Sequence, residues 1–253
     1  MAKVFNVTAN CIPEKHYMIK LDTRLAEIKK MVDSGAYFTI NRARQFGETT
    51  TIRALARYLQ EEYYVVSMDF QTFGHGNFGT ESVFSKTFLG SFFRALKRFN
   101  PRISDELKEI IVNQNTDSTQ EITLGVLFEK LEDILDVSDK PIILIIDEVD
   151  SATNNQVFLD FLAQLRACYI NRDVYPAFHS VILAGVHDVK NLRRKIRPEE
   201  ARKINSLWNI AADFKVDMSF SAQEIAEMLR EYENDHHTGM NITEIAELIY
   251  DYT

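Results

Sequence analysis

Cysteine, proline and glycine are all scarce in this chain of 253 residues, which holds two, five and nine of them. Cys11 and Cys168 lie far apart, so no disulfide framework is encoded; two free thiols in a reducing compartment are expected. So little glycine and proline argues against long flexible linkers, and no internal repeat or low-complexity tract is present. The longest unbroken apolar run, residues 142–146, falls far short of the roughly 20 residues that cross a bilayer. The opening stretch "MAKVFNVTAN" has no apolar core of the kind a secretory signal carries. Positive charge is also in deficit, with 29 Lys and Arg against 37 Asp and Glu and a net charge of -8. An acidic total gives no footprint for general nucleic-acid binding, although a local basic patch stays compatible with it. These absences together predict a cytoplasmic protein with no membrane partner.

What is present is ordinary globular composition, 45% hydrophobic and 26% charged, enough for a sizeable core in one large domain or one plus part of a second. Helical and strand patterns alternate. Residues 22–32, 49–61, 82–99, 124–135 and 156–170 place apolar side chains at helical spacing. Residues 37–41, 64–70, 141–147, 179–185 and 214–220 read as strands, and "PIILIID" has the continuous apolar character of a strand buried on both faces. Ser221 with Glu224 forms a capping-box pattern that opens another helix, and residues 243–253 are amphipathic. Five strand–helix alternations predict an α/β fold with a mainly parallel sheet and helices on both faces. The cluster Phe84, Phe88, Phe92, Phe93 and Phe99 is expected in the core. The 33 residues after the fifth strand are too few for a stable second domain, so the chain is expected to be a fragment of a longer protein.

"INRARQFGETTT", residues 40–51, has the rhythm of a phosphate-binding loop: apolar strand, tight turn, one glycine, then threonines opening a helix. In a G-x-x-x-x-G-K-[ST] loop, backbone N–H groups and the helix N-terminus face the phosphates, the lysine offsets their charge, and the hydroxyl binds magnesium. Here Gly47 and Thr49 are kept, Arg42 stands at the first glycine, and Glu48 stands at the lysine. Taken alone, so damaged a match fits a strand–turn–helix without ligand equally well. About 100 residues on, "IILIIDEVD" ends a buried strand in Asp147, placed to hold magnesium, and Glu148, placed to polarise a water. Ligands of open α/β sheets bind at this edge. After the strand "HSVILAG", His187 and Asp188 are candidate γ-phosphate sensors. Arg193 and Arg194 are arginine-finger candidates, although a solvated basic face with Lys190, Lys195 and Arg197 explains them better.

These stretches, with "HSVILAGVHDVKNL" and "WNIAADFKVDMSFSAQEIAEML", resemble the predicted AAA-type ATPases, the AAA-like domain family of bacterial and archaeal proteins akin to archaeal ATPases and the signal-transducing STAND class. The resemblance covers nearly the whole chain from about Tyr17 and includes an R-x-R-x-[FY]-G-K-T loop, so Arg42 and Arg44 fit and only Glu48 departs. It implies a three-layer P-loop NTPase fold with a five-stranded sheet in the order 5-1-4-3-2. It also implies ATP and magnesium as ligands, an α/β domain over residues 1–220, and the start of a helical lid over 221–253. Residue by residue, it implies nucleotide contacts at Arg44, Gln45, Phe46, Gly47, Glu48, Thr49 and Thr50. Thr49 and Asp147 would hold magnesium, and Glu148 would be catalytic.

Glu48 changes the local charge by two units beside a polyanion. At about 4 Å one unit interaction is worth roughly 4 kcal/mol at an effective dielectric near 20. Even about 3 kcal/mol would weaken binding roughly a hundredfold. Nucleotide binding is therefore expected to be weak, and hydrolysis weaker. The alternative is a nonhydrolysing scaffold or interaction protein that has kept the fold, and a fused effector module or protein partner beyond Thr253 and a homo-oligomer both stay open. Two other patterns carry less. "GHGNFG", residues 74–79, matches G-x-G-x-x-G, but the next strand lies too far away for a dinucleotide fold, and a mobile surface loop is expected. His236 and His237 are adjacent and have no third metal ligand nearby.

Overall fold

The computed structural model describes residues 3–7, 11–41, 48–114, 121–185 and 208–252. The chain divides into two compact units: one of residues 29–43 and 56–215, the other of residues 1–28, 44–55 and 216–253. Among the described residues the strands are β1 (Tyr37–Asn41), β2 (Tyr64–Asp69), β3 (Ile142–Asp147) and β4 (Ser180–Gly185). The helices are α1 (Asp22–Asp33), α2 (Glu48–Tyr58), α3 (Glu81–Phe99), α4 (Asp105–Gln114), α5 (Leu124–Asp136), α6 (Gln156–Ile170), α7 (Ala222–His236) and α8 (Ile242–Tyr252).

The larger unit is built on a four-stranded parallel sheet in the order β1-β4-β3-β2. β3 and β4 are buried along their whole length, as their unbroken apolar runs require. Thr80 caps α3 by accepting the Val83 N–H, and Thr123 caps α5 by accepting that of Val126. α3 turns Phe84, Phe88, Phe92 and Leu96 inward at helical spacing. Phe161 of α6 meets two of these rings, at 5.3 Å from Phe84 and 4.7 Å from Phe88. The expected aromatic core is therefore present, with Phe99 only partly buried beside it. α4 was not legible in the sequence because it buries only Leu107 and Ile111, too thin a stripe to read as a period.

β2 is an edge strand, and Asn100, which ends α3, stands where a neighbouring strand would pair. Its Oδ1 accepts the Val65 N–H, and its Nδ2 donates to the carbonyls of Val65 and Leu96. These bonds satisfy the outward backbone groups of a buried residue.

One expectation changes. Residues 214–220 do not form a fifth strand. A single parallel bridge, Phe38 with Ala212, touches β1, where the Ala212 N–H donates to the Tyr37 carbonyl at 2.8 Å. The segment keeps its alternation, with Val216 and Met218 buried and Lys215 and Asp217 exposed. In the smaller unit, however, the buried Arg24 guanidinium donates to the carbonyls of Asp217 and Ser219, and Asp217 Oδ1 accepts the Ser219 N–H. Side chains, not a strand ladder, take those backbone groups. Residues 74–79 lie mostly at the surface and contain a short 3-10 turn (His75–Phe78), with Phe73 and Phe78 buried.

The smaller unit has its own core of Ile19, Ile225, Ala226, Leu229 and Ala246. Ser221 and Glu224 form the expected reciprocal capping box at the start of α7. Tyr17 donates to Asp235 at 2.7 Å and stacks edge-on to Tyr232, tying the N-terminal segment to α7.

Candidate functional site

Parallel strands bring their C-terminal ends to one edge. In the larger unit that edge carries Asn41, Gly185, Asp147 and Asp69 at the ends of β1, β4, β3 and β2, with Asn41 beside Gly185 and Asp147 beside Asp69 in register. Asp147 is buried, 8% exposed, and its Oδ1 accepts the Glu148 N–H at 2.9 Å. Glu148 then takes a left-handed conformation, φ 55° and ψ 40°, in which residues with a side chain are strained. Its carbonyl accepts the Ser151 N–H and hydroxyl, which holds the turn. Asp69 is used locally, accepting the Gln71 N–H at 2.8 Å. Asn41 Oδ1 is buried with no hydrogen-bond partner.

Gly185 is required by contact. A Cβ there would lie 2.7 Å from Asp150 Oδ2 and 3.0 Å from Val149 Cγ2. Asp150 thus reaches over the end of β4, a neighbour that sequence reasoning missed. The signal was present, since Asp150 is the third acid of "DEVD".

In the smaller unit, Thr49 and Thr50 lie half-buried on the first turn of α2. There the helix N-terminus offers backbone N–H groups and partial positive charge. A cavity of about 600 Å³ within this unit is lined by Tyr17, Thr50, Phe220, Ile225, Met228 and Tyr250. Burial, then the hydrogen bond to Asp235, pushes the Tyr17 hydroxyl up to about 12, so it stays a donor at neutral pH. Thr51 also borders the cavity; it is 1% exposed, and its hydroxyl has no hydrogen-bond partner. Nothing in the sequence pattern announced this cavity, because its walls come from three separate stretches.

Of the residues singled out by sequence, Thr49, Thr50, Asp147 and Glu148 are placed as above. Arg44, Gln45, Phe46 and Gly47 lie outside the described residues, as do His187, Asp188, Arg193 and Arg194. Glu48 opens α2, and its side chain lies outside them as well.

The larger unit is an α/β fold with a parallel sheet, a fold it shares with P-loop ATPases of known structure. The chain matches the AAA-like domain family over residues 12–250 and belongs to it. Solved structures share the fold. The Walker-type ATPase PABY2304 of Pyrococcus abyssi is 15% identical with a TM-score of 0.60, over 96% of this chain and 65% of that one. Cdc6p from Pyrobaculum aerophilum is 14% identical with a TM-score of 0.51, over 85% and 50%. The ORC2 protein of Aeropyrum pernix, solved with ADPNP and ADP, is 13% identical with a TM-score of 0.51, over 97% and 58%. The chain thus spans between half and two thirds of the length of these proteins. No curated protein matches its sequence. Among the described residues, no helix is long and apolar enough to cross a membrane.

Proposed function

We propose that this chain binds ATP with magnesium and that Glu48 weakens both binding and hydrolysis. The observation that carries the proposal is the buried carboxylate of Asp147 at the C-terminal end of β3, followed by Glu148 held in a left-handed turn. A carboxylate and a threonine hydroxyl are each hard oxygen donors of the kind magnesium takes, so Asp147 and Thr49 are assigned to hold it. Magnesium would supply charge neutralisation at the phosphate oxygens. Glu148 would orient a water and accept its proton, while Arg44, Gln45, Phe46, Gly47, Thr49 and Thr50 line the phosphates. The cavity of the smaller unit lies within the roughly 300–1,000 Å³ of small-molecule sites and is walled by apolar and aromatic side chains, which suits a nucleobase. In this proposal α7 and α8 begin a lid. His187 or Asp188 senses the γ-phosphate, and Arg193 or Arg194 is the finger.

The test is calorimetry with Mg-ATP on the wild-type chain and on Glu48→Lys. Restoring the cation should raise affinity at least tenfold; an unchanged Kd counts against the site. A second reading, a scaffold that binds without hydrolysing, is favoured by Glu48 itself. Phosphate release in Glu48→Lys, and its loss in Glu48→Lys with Glu148→Gln, would separate the two.

A further inference from the structure

Between Glu81 and Asp105 the chain runs for 23 residues without an acid, although acids make up 37 of its 253 residues. The same stretch holds Lys86, Arg94, Lys97, Arg98 and Arg102. All five are exposed. At about 100° per residue, Lys86, Arg94, Lys97 and Arg98 fall within roughly a third of the circumference of α3, with Gly90 among them. From Lys86 to Arg98 the row extends about 18 Å at the helical rise. Arg102 continues it past the helix end.

Four of the five cations are not consumed by ion pairs. Among the described residues, Arg94, Lys97, Arg98 and Arg102 have no carboxylate partner. The first acid after the row, Asp105, is taken by Lys108. The Arg94 guanidinium donates to Ser91 Oγ at 2.9 Å, which holds it on the helix surface.

We infer that this face of α3 binds the phosphate backbone of a nucleic-acid duplex. A protein partner would need an apolar anchor at the centre of the face, and the only large hydrophobic exposed on α3 is Val83, at its far end. A single strand would need an exposed aromatic platform for its bases, and α3 exposes none. A regular row of cations lacking both features matches a regular row of phosphates. The contact is sequence-independent, because cations set against phosphates carry no sequence information. The inference does not rest on the proposed nucleotide site.

The test measures binding of the full chain to a fluorescent duplex DNA of arbitrary sequence by anisotropy across a salt series. Four neutralised phosphates, one each for Arg94, Lys97, Arg98 and Arg102, give log K against log salt a slope of about −3.6. Arg94→Gln, Lys97→Gln and Arg98→Gln together should reduce that slope by about 2.7 and weaken binding at least tenfold at about 50 mM salt. Arg98→Gln alone should reduce it by about 0.9, which keeps the test informative if the triple variant folds poorly. Absence of duplex binding at low salt would overturn the proposal. So would an unchanged slope in the variants, or tighter binding to a polyglutamate peptide than to the duplex.

Discussion

Asn100→Ala is the most direct probe of how the edge of the sheet is closed. The side chain is 5% exposed and makes three hydrogen bonds, at 2.9 Å from the Val65 N–H, 2.9 Å to the Val65 carbonyl and 2.8 Å to the Leu96 carbonyl. Alanine removes all three and leaves the N–H and carbonyl of a fully buried residue without partners. A net value of about 1 kcal/mol per bond, with a further penalty for each stranded group, gives a loss of roughly 3–5 kcal/mol. For a chain of this size that lowers Tm by about 6–20 °C. Asn100→Asp keeps an acceptor for the Val65 N–H but sets a carboxylate against two carbonyls, so it should cost at least as much. Urea unfolding gives the magnitude, and hydrogen exchange at the Val65 amide gives the location, since that proton should lose protection first. A loss below about 1 kcal/mol, or an unchanged Val65 amide, refutes the claim that Asn100 substitutes for a neighbouring strand.

Two further outcomes follow from single contacts. Gly185→Ala should cost about 1–2 kcal/mol because its Cβ meets Asp150 Oδ2 and Val149 Cγ2. Asp150→Ala in the same chain should recover most of that loss in a thermal melt; no recovery means the strain lies elsewhere. Burial pushes the Asp33 carboxyl up, but hydrogen bonds from Lys29 and Tyr63 outweigh it and hold the group below its ordinary value. A depressed carboxylate stabilises above its unfolded value, about 3.9, and that contribution disappears as pH falls through the lower folded value. Asp33→Asn should therefore flatten the loss of stability below about pH 4, read as the urea midpoint against pH; an identical acid slope would rule this out.

The sheet was legible because its signal is carried by single segments. "PIILIID" and "HSVILAG" are apolar without a break, and a strand buried on both faces needs nothing else to be recognised. The fifth strand failed for the converse reason. "FKVDMSF" alternates, and alternation reports one buried face, not a neighbour to pair with. Arg24, about 190 residues earlier in the chain, takes the carbonyls that a ladder would have used. The site divides in the same way. Asp147 and Glu148 could be found from one strand and its end, whereas the cavity beside Thr50 is assembled from the N-terminal segment, α2 and the α7–α8 region, and no local pattern encodes it.

Glu148 offers the sharpest separation of stability from function. Its φ of 55° is a conformation that glycine adopts without strain and that a residue with a Cβ holds at a cost of about 1–2 kcal/mol. Glycine gives back roughly 0.4–1 kcal/mol through the greater freedom of its unfolded chain. Glu148→Gly should therefore come out level with the wild type or slightly more stable. Glu148→Ala keeps the strain and should be the less stable of the two variants by about 0.5–1 kcal/mol. If the turn only had to be made, glycine would make it more cheaply. Under the proposed function the carboxylate held at this strained position is the one that orients the water. Phosphate release in a Glu48→Lys background should then vanish in Glu148→Gly and Glu148→Gln alike, although only the first relieves the backbone. Alanine equal to glycine in stability would remove the strain, and hydrolysis surviving in Glu148→Gln would remove the function.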